Sequence, residues 1–269
     1  GATVECKACH HPGAVGLREV LFPSGQAVSM PAGSAICSVC HQGRSSGGAV
    51  ESAVVGIADD EVSAKLEFIN VHFAAAATTQ MGAAAAGGYQ YPGMTYAGPF
   101  AHVSGQDTCV SCHGAHDTAV QLESCTTCHK GATSLRAIRT SVLDVLGSGD
   151  TSTGMGIVVD DLNARLQVAL MTYSTEAGGG AIVYSSDAFP YFFTDTNANG
   201  IVDEGEAAFP NRYQAWTPRL LRAAYNYQFV AKDHGAFAHN PHYAIQLIID
   251  SIADLASVST VSADGLVRP

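Results

Sequence analysis

A chain of 269 residues is long enough to bury a sizeable core, yet only 14% of it is charged, against roughly 25% in ordinary soluble domains. With 13 basic residues against 24 acidic ones and a net charge of −11, simple electrostatics excludes a polyanion binder. No long, strongly apolar run offers a transmembrane helix, and small residues are abundant, with 42 Ala and 28 Gly leaving fewer large side chains for a core.

The first 56 residues are rich in Gly and Ser, show little periodicity, and carry two Cys-x-x-Cys-His motifs. These are Cys6, Cys9 and His10, then Cys37, Cys40 and His41. Two further copies, Cys109, Cys112 and His113, then Cys125, Cys128 and His129, use up all eight cysteines. Cysteine pairs alone also suit zinc sites, redox dithiols or disulfides. The His directly after every pair separates these readings, because four such coincidences have a chance on the order of 10⁻⁶, and Cys-x-x-Cys-His is the attachment signature of c-type haem. Two thiols add to the two vinyl groups of one macrocycle, and the two intervening residues let both sulfurs reach one edge. The next imidazole then meets iron as the proximal ligand. Four c-type haems are the expected cofactors. Covalent attachment takes place outside the cytoplasm, so an extracellular chain with its signal peptide already removed is expected.

Apolar spacing at Leu66, Ile69 and Phe73 predicts a helix over 58–78, with His72 beside its apolar face. An Ala-, Gly- and Tyr-rich loop then runs to about residue 105 and carries His102, seven residues before Cys109. Cys125 follows Cys109 by only 16 positions, which draws the third and fourth haems together. His116 lies three residues after His113. Two imidazoles on one helix face cannot grip opposite sides of one iron, so His116 is expected to serve a neighbouring haem.

No Cys occurs beyond 135, where the better helices are predicted over 157–173, 217–231 and 241–256. Gly178–Gly180 breaks the chain before a strand-like run, Ala181–Tyr184. Asp195 to Glu206 matches the twelve-residue calcium loop, with oxygen ligands expected from Asp195, Asn197, Asn199, the Ile201 carbonyl, Asp203 and Glu206, and Gly200 at the sharp turn. Pro190 argues against a long helix entering it, and with no second loop to pair with, a lone structural calcium is expected. His239 precedes Asn240-Pro241, a helix start with Asn as cap and Pro at the first position.

Seven His remain beyond the four proximal ones, so all four irons are expected to be bis-His, an arrangement that suits electron relay and disfavours catalysis; the chain is not expected to be an enzyme. His72, His102, His116 and His239 are the distal candidates. His11 adjoins a proximal ligand and points away from its own haem, which leaves it another haem or one in a neighbouring subunit. His234 and His242 read as surface residues. Arg44, Arg136, Arg139, Arg212, Arg219 and Arg222 are candidate partners for haem propionates. The expected fold is mostly irregular, with several α-helices and little β structure, its core formed by stacked haems. Residues 1–135 form the attachment region and 136–269 a helical region, packed on it as one continuous unit.

Several stretches together resemble a family of secreted multihaem c-type cytochromes that includes the tetrahaem subunits of extracellular filaments, the OmcE-like nanowires. They are Ile69-Asn70-Val71-His72-Phe73, Gly88-Tyr89-Gln90-Tyr91 with Tyr96, Cys109 to His116, the calcium loop, Trp216 to Leu221, Tyr225-Asn226-Tyr227-Gln228, and Lys232 to Asn240. The similarity spans most of residues 57–256, and the chain departs from the family pattern at His234 and at His11. The resemblance implies His72, His102, His116 and His239 as distal ligands. It also implies a homopolymer in which one distal His crosses the subunit boundary, with His11 the first candidate. The function expected is extracellular electron transfer along a polymer; the alternative is a monomeric electron shuttle or a redox subunit of an enzyme complex. About 67 residues per haem motif leave protein over for subunit contacts, and low charge reduces self-repulsion in a polymer.

Overall fold

The computed structural model describes residues 4–31, 33–120 and 122–269. Most of this is coil, threaded by helices and two small antiparallel sheets. The attachment half holds short helices: α1 (Cys6–Cys9), α2 (Pro12–Val15), α3 (Ala35–Cys40), α4 (Gly47–Val54), α5 (Ala76–Met81), α6 (Cys109–Cys112) and α7 (Leu122–Thr126). A hairpin of β1 (Glu19–Leu21) and β2 (Ala27–Ser29), with Val20 opposite Val28, lies between α2 and α3. Val20, Phe22 and Met30 of this hairpin region bury against Ala35 of α3 and Ala77 and Met81 of α5, which seats the second attachment motif.

The C-terminal half contains α8 (Met155–Glu176), the hairpin β3 (Ile182–Tyr184) and β4 (Phe192–Thr194), α9 (Pro218–Lys232), α10 (Ala236–His239) and α11 (Pro241–Ala256). The three long helices fall where periodicity predicts them, and the sequence explains their starts. The Thr217 hydroxyl accepts from the Leu220 amide at 3.1 Å and the Asn240 side chain from the Tyr243 amide at 3.1 Å, each with Pro at the first helical position. Val158, Leu162, Leu166, Leu170 and Tyr173 recur along one face of α8 and pack into a core with Trp216, Leu220, Tyr225, Tyr243 and Ile248, all essentially fully buried. Each such side chain contributes about 1.5–3 kcal/mol of burial. The same core takes in Val50, Val54, Leu66, Val71 and Tyr89, so it extends across residue 135 into the attachment half.

The helix predicted over 58–78 does not form; only its end is helical, in α5. The backbone donors of this stretch are claimed from outside it. The Ser63 amide bonds the Trp216 carbonyl at 3.0 Å, and the Val71 amide bonds the Gln228 side chain of α9 at 3.0 Å. Asn70 turns the chain by accepting from the His72 amide at 2.8 Å, and His72 sits at φ 77°, a left-handed conformation that a helix cannot contain. Conversely α4 was not anticipated from the Gly- and Ser-rich sequence around it. Gly47 begins it because a Cβ there would lie 2.4 Å from the Gly88 carbonyl oxygen.

From Tyr91 to Asp144, no described residue is buried. That stretch carries two attachment motifs and His102 and His116, and its polypeptide supplies no apolar core of its own.

Candidate haem sites

The first three attachment motifs place both cysteines on a short helix with the proximal His just beyond its end; in the fourth, α7 holds Cys125 and ends at Thr126, and a turn carries Cys128 and His129, whose amide donates to the Cys125 carbonyl at 2.8 Å. The His10, His41 and His113 amides close the helices by donating to the Cys6, Cys37 and Cys109 carbonyls at 2.8, 2.9 and 2.8 Å. A single helical turn thus brings both thiols and the imidazole to one side of the chain. The third motif is pinned by a capping box between Thr108 and Ser111, and the Cys109 amide donates to the Ser34 hydroxyl at 3.0 Å. α3 and α6 therefore abut. Gly33, at φ 82°, is required there, because a Cβ would fall 2.8 Å from Val110. The Cys37 and Cys109 thiols share a hydrogen bond, which pushes the Cys37 thiol up and holds Cys109 down at about 6. Cys9 is close enough to influence Cys37, and Cys112 to influence Cys125.

Three imidazole pairs stand out. His10 faces His116 with ring centroids 6.1 Å apart, His129 faces His102 at 6.0 Å, and His113 faces His239 at 6.3 Å. Metal–imidazole bonds are about 2.0–2.1 Å, so two rings holding one metal from opposite sides place their centroids roughly 6 Å apart. Each pair joins a motif His to one of the distal candidates, and His116 lies against the first motif rather than its own. No His ring stands at this distance from His41 among the described residues. His72, the remaining candidate, is exposed and lies edge-on to the Phe73 ring at 4.3 Å, and Arg44 lies over the same ring, 4.9 Å from its centroid. The strand of residues holding it runs beside the second motif: the Arg44 amide bonds the Val71 carbonyl at 3.0 Å, and the Ala77 amide the His41 carbonyl at 2.8 Å.

His11 caps α2, its Nδ1 accepting from the Gly13 amide at 3.1 Å, and its side chain is exposed. His234 and His242 are exposed. Sequence reasoning missed Asp233, whose buried carboxylate lies 2.8 and 2.9 Å from Nδ1 of His239, and the Thr118 carbonyl, 2.9 Å from Nδ1 of His113. Burial pushes the His239 imidazole down, but Asp233 outweighs it and holds the ring above its usual range. The arginines proposed for propionates are mostly committed within the protein. Arg219 pairs with Asp60 and Asp254, Arg222 with Asp59, and Arg136 with Asp160, while Arg139 donates to the Ser141, Leu143 and Thr153 carbonyls.

The loop from Asp195 to Glu206 is folded by its own ligand candidates. Asp195 accepts from the Asn199 and Gly200 amides at 3.2 and 2.7 Å, Asn197 from the Asn199 amide at 3.1 Å, and Asn199 from the Ile201 amide at 2.8 Å. Glu206 accepts from the Thr196 and Asp203 amides at 2.8 and 3.0 Å, and Gly200 takes φ 79°. Asp203 accepts instead from the Asn197 and Asn199 side-chain amides, both at 2.8 Å. β4 leads into the loop, as Pro190 suggested, rather than a long helix. Among the described residues, no three His, Cys, Asp or Glu side chains converge closely enough to hold a metal ion by themselves.

Among the described residues, no helix is long and apolar enough to cross a membrane. The chain is similar to two Geobacter sulfurreducens proteins described as C-type polyheme cytochromes. It is 30% identical to OmcB over 257 residues, covering 82% of this chain and 31% of OmcB. It is 28% identical to OmcC over 256 residues, covering 82% of this chain and 30% of OmcC. The chain thus spans about a third of the length of these relatives. No family model matches it, and no solved structure matches it.

Proposed function

We propose that this chain, a multihaem c-type cytochrome by its four attachment motifs and its similarity to OmcB and OmcC, is an electron conduit that holds four haems. The observation that carries the reading is the set of three imidazole pairs, each about 6 Å apart and each built on a motif His. Cys6 and Cys9, Cys37 and Cys40, Cys109 and Cys112, and Cys125 and Cys128 form the thioether bonds. His10 and His116 ligate the first haem, His113 and His239 the third, and His129 and His102 the fourth. Haems bound there supply one-electron exchange between ferric and ferrous iron, and two His ligands on each leave no position for a substrate. The protein's part is to fix these rings, exclude water with the macrocycles as core, and set the spacing of neighbouring sites. The polypeptide from Tyr91 to Asp144, in which no described residue is fully buried, would fold around them.

The second site supports assembly. Among the described residues no imidazole stands about 6 Å from His41, while His72 is exposed on the segment beside it, held in a left-handed conformation. We assign His72 as distal ligand for the second motif, closing onto His41 or reaching a neighbouring subunit, with His11 the alternative donor across that boundary. Electron transfer along a homopolymeric filament outside the cell is the function proposed for the arrangement in which that ligand is shared between subunits. A lone calcium in the loop from Asp195 to Glu206 braces the helical half.

Purified protein should show four haems by pyridine haemochromogen assay and mass, an all-low-spin ferric spectrum, and filaments by negative-stain microscopy. Fewer than four haems would overturn the conduit; isolated particles at high concentration would leave the conduit and replace the filament with a monomeric shuttle or a redox subunit of a larger complex.

A further inference from the structure

The third pair differs from the other two in what lies behind its rings. Asp233 is 4% exposed, and both its carboxylate oxygens lie within hydrogen-bond distance of Nδ1 of His239, at 2.8 and 2.9 Å. Its other bond is from the Gly235 amide at 3.1 Å, so no Lys or Arg among the described residues neutralises it. Lys232, next to it in sequence, lies over the Tyr191 ring at 4.3 Å, and Arg136, which lines the same cavity as Asp233, lies over Phe237 while paired with Asp160. The ring is also seated by shape, since a Cβ on Gly235 would fall 2.5 Å from its Cε1. With Nδ1–H directed at the carboxylate, Nε2 is left as the lone pair for a metal. On the opposite side, His113 directs its own Nδ1 at the Thr118 carbonyl, 2.9 Å away. Among the described residues, the rings of His10, His41, His102, His116 and His129 have no hydrogen-bond partner of this kind.

A carboxylate behind a metal-bound imidazole fixes its tautomer and raises its basicity, and in a buried setting the effect of the full negative charge is poorly screened. A more basic axial ligand favours ferric over ferrous iron. We propose that Asp233 positions His239 as a ligand with imidazolate character and thereby makes the haem of the third motif the lowest in reduction potential of the four. This rests on the ligation set out above and goes beyond it, because it ranks the sites. The third motif abuts the second where α3 meets α6, and Cys125 of the fourth follows Cys109 by 16 positions, so the site of lowest potential has neighbours to either side and the electron must climb to leave it.

The test is an optical redox titration of the haem-loaded protein and its Asp233→Asn variant. The lowest of the four one-electron components should rise by at least a tenfold change in its oxidised-to-reduced ratio at fixed poise, which is 59 mV for a one-electron couple. The other three should stay in place, the low-spin spectrum should persist, and Asp233→Glu should return most of the shift. Four unmoved components, or a shift in any but the lowest, overturn the proposal while leaving the four-haem reading intact; loss of that reading would instead show as missing haem. If the Asn variant does not fold, electron paramagnetic resonance of the unmodified ferric protein decides. One low-spin signal should show the compressed g-spread of an imidazolate-like ligand, and its absence overturns the proposal.

Discussion

Asn226 holds both backbone groups of Tyr89, accepting from its amide at 2.7 Å and donating to its carbonyl at 3.0 Å. This pairing replaces a strand partner for an irregular segment that is otherwise buried against α9. Neighbouring side chains repeat the device: the Tyr225 hydroxyl donates to the Gly87 carbonyl at 3.1 Å, the Tyr243 hydroxyl accepts from the Gly88 amide at 3.1 Å, and Gln246 accepts from the Ala97 amide at 2.7 Å. Asn226→Leu keeps the volume and strands two buried backbone groups, each costing about 1–3 kcal/mol. The variant should lose about 2–4 kcal/mol by chemical denaturation monitored through Trp216. A loss within 0.5 kcal/mol, roughly that of a neutral surface change, would show that the segment finds other partners.

Close approach of that segment is also why glycine stands at Gly88, where a Cβ would fall 2.3 Å from Leu247 of α11. Gly88→Ala forces Leu247 off its rotamer, and overpacking of this kind costs about 1–3 kcal/mol. Pairing it with Leu247→Ala should recover part of the overpacking loss in a double-mutant cycle, and purely additive losses would show that the two positions do not clash.

The long helices were legible because apolar period, Thr or Asn caps and first-turn Pro all agree there, and the attachment motifs because covalent haem binding demands a fixed spacing. The path from residue 58 to 75 was not. Leu66, Ile69 and Phe73 do share helical spacing, but tertiary hydrogen bonds from Trp216 and Gln228, 150 or more residues away, take its backbone donors instead. Asp233 escaped notice for a related reason. It lies six residues before His239, and only the turn through Gly235 folds its carboxylate back onto the ring. The arginines read as propionate partners show the same limit, since Asp59 and Asp60 reach Arg219 and Arg222 from some 160 positions away.

His102 and His129 are matched in one pair, so His102→Ala should open a single iron. Carbon monoxide should then bind one haem of the four in the ferrous protein, while His234→Ala, at an exposed position outside every pair, should bind none beyond the unmodified protein. A CO-silent His102 variant with full haem content would remove His102 as a ligand.

Stability should fall on the acid side. The Arg219 guanidinium, 2.7 Å from Asp60, holds that carboxyl below its ordinary range against the opposing pull of burial. A carboxyl depressed in the folded state contributes stability above the unfolded value, about 3.9, and loses it as pH falls through the folded value. Asp254 runs the other way, because burial raises it, and offsets part of this. The melting temperature should therefore hold from neutral pH to about 5 and drop below about 4, with a shallower acid limb in Asp60→Asn. A rise in melting temperature on acidification to pH 3 would contradict the assignment.

The carboxylates of Asp195 and Glu206 are both buried and both bonded to amides of one loop, while the exposed Asn197 and Asn199 side chains accept from the Asn199 and Ile201 amides. Two near-buried negative charges in a loop without a neighbouring Lys or Arg ion pair among the described residues are the setting in which a calcium ion stabilises most. Binding to the folded state alone adds about 2.7 kcal/mol at one hundred times the dissociation constant. Chelation should lower the melting temperature, calcium should restore it, and magnesium, which demands tighter octahedral geometry, should do so poorly. Glu206→Gln removes the bidentate anion and should abolish the calcium-dependent rise while leaving four haems bound, because the attachment motifs lie in the other half of the chain. A melting temperature indifferent to both chelator and calcium would reduce the loop to a self-bonded turn.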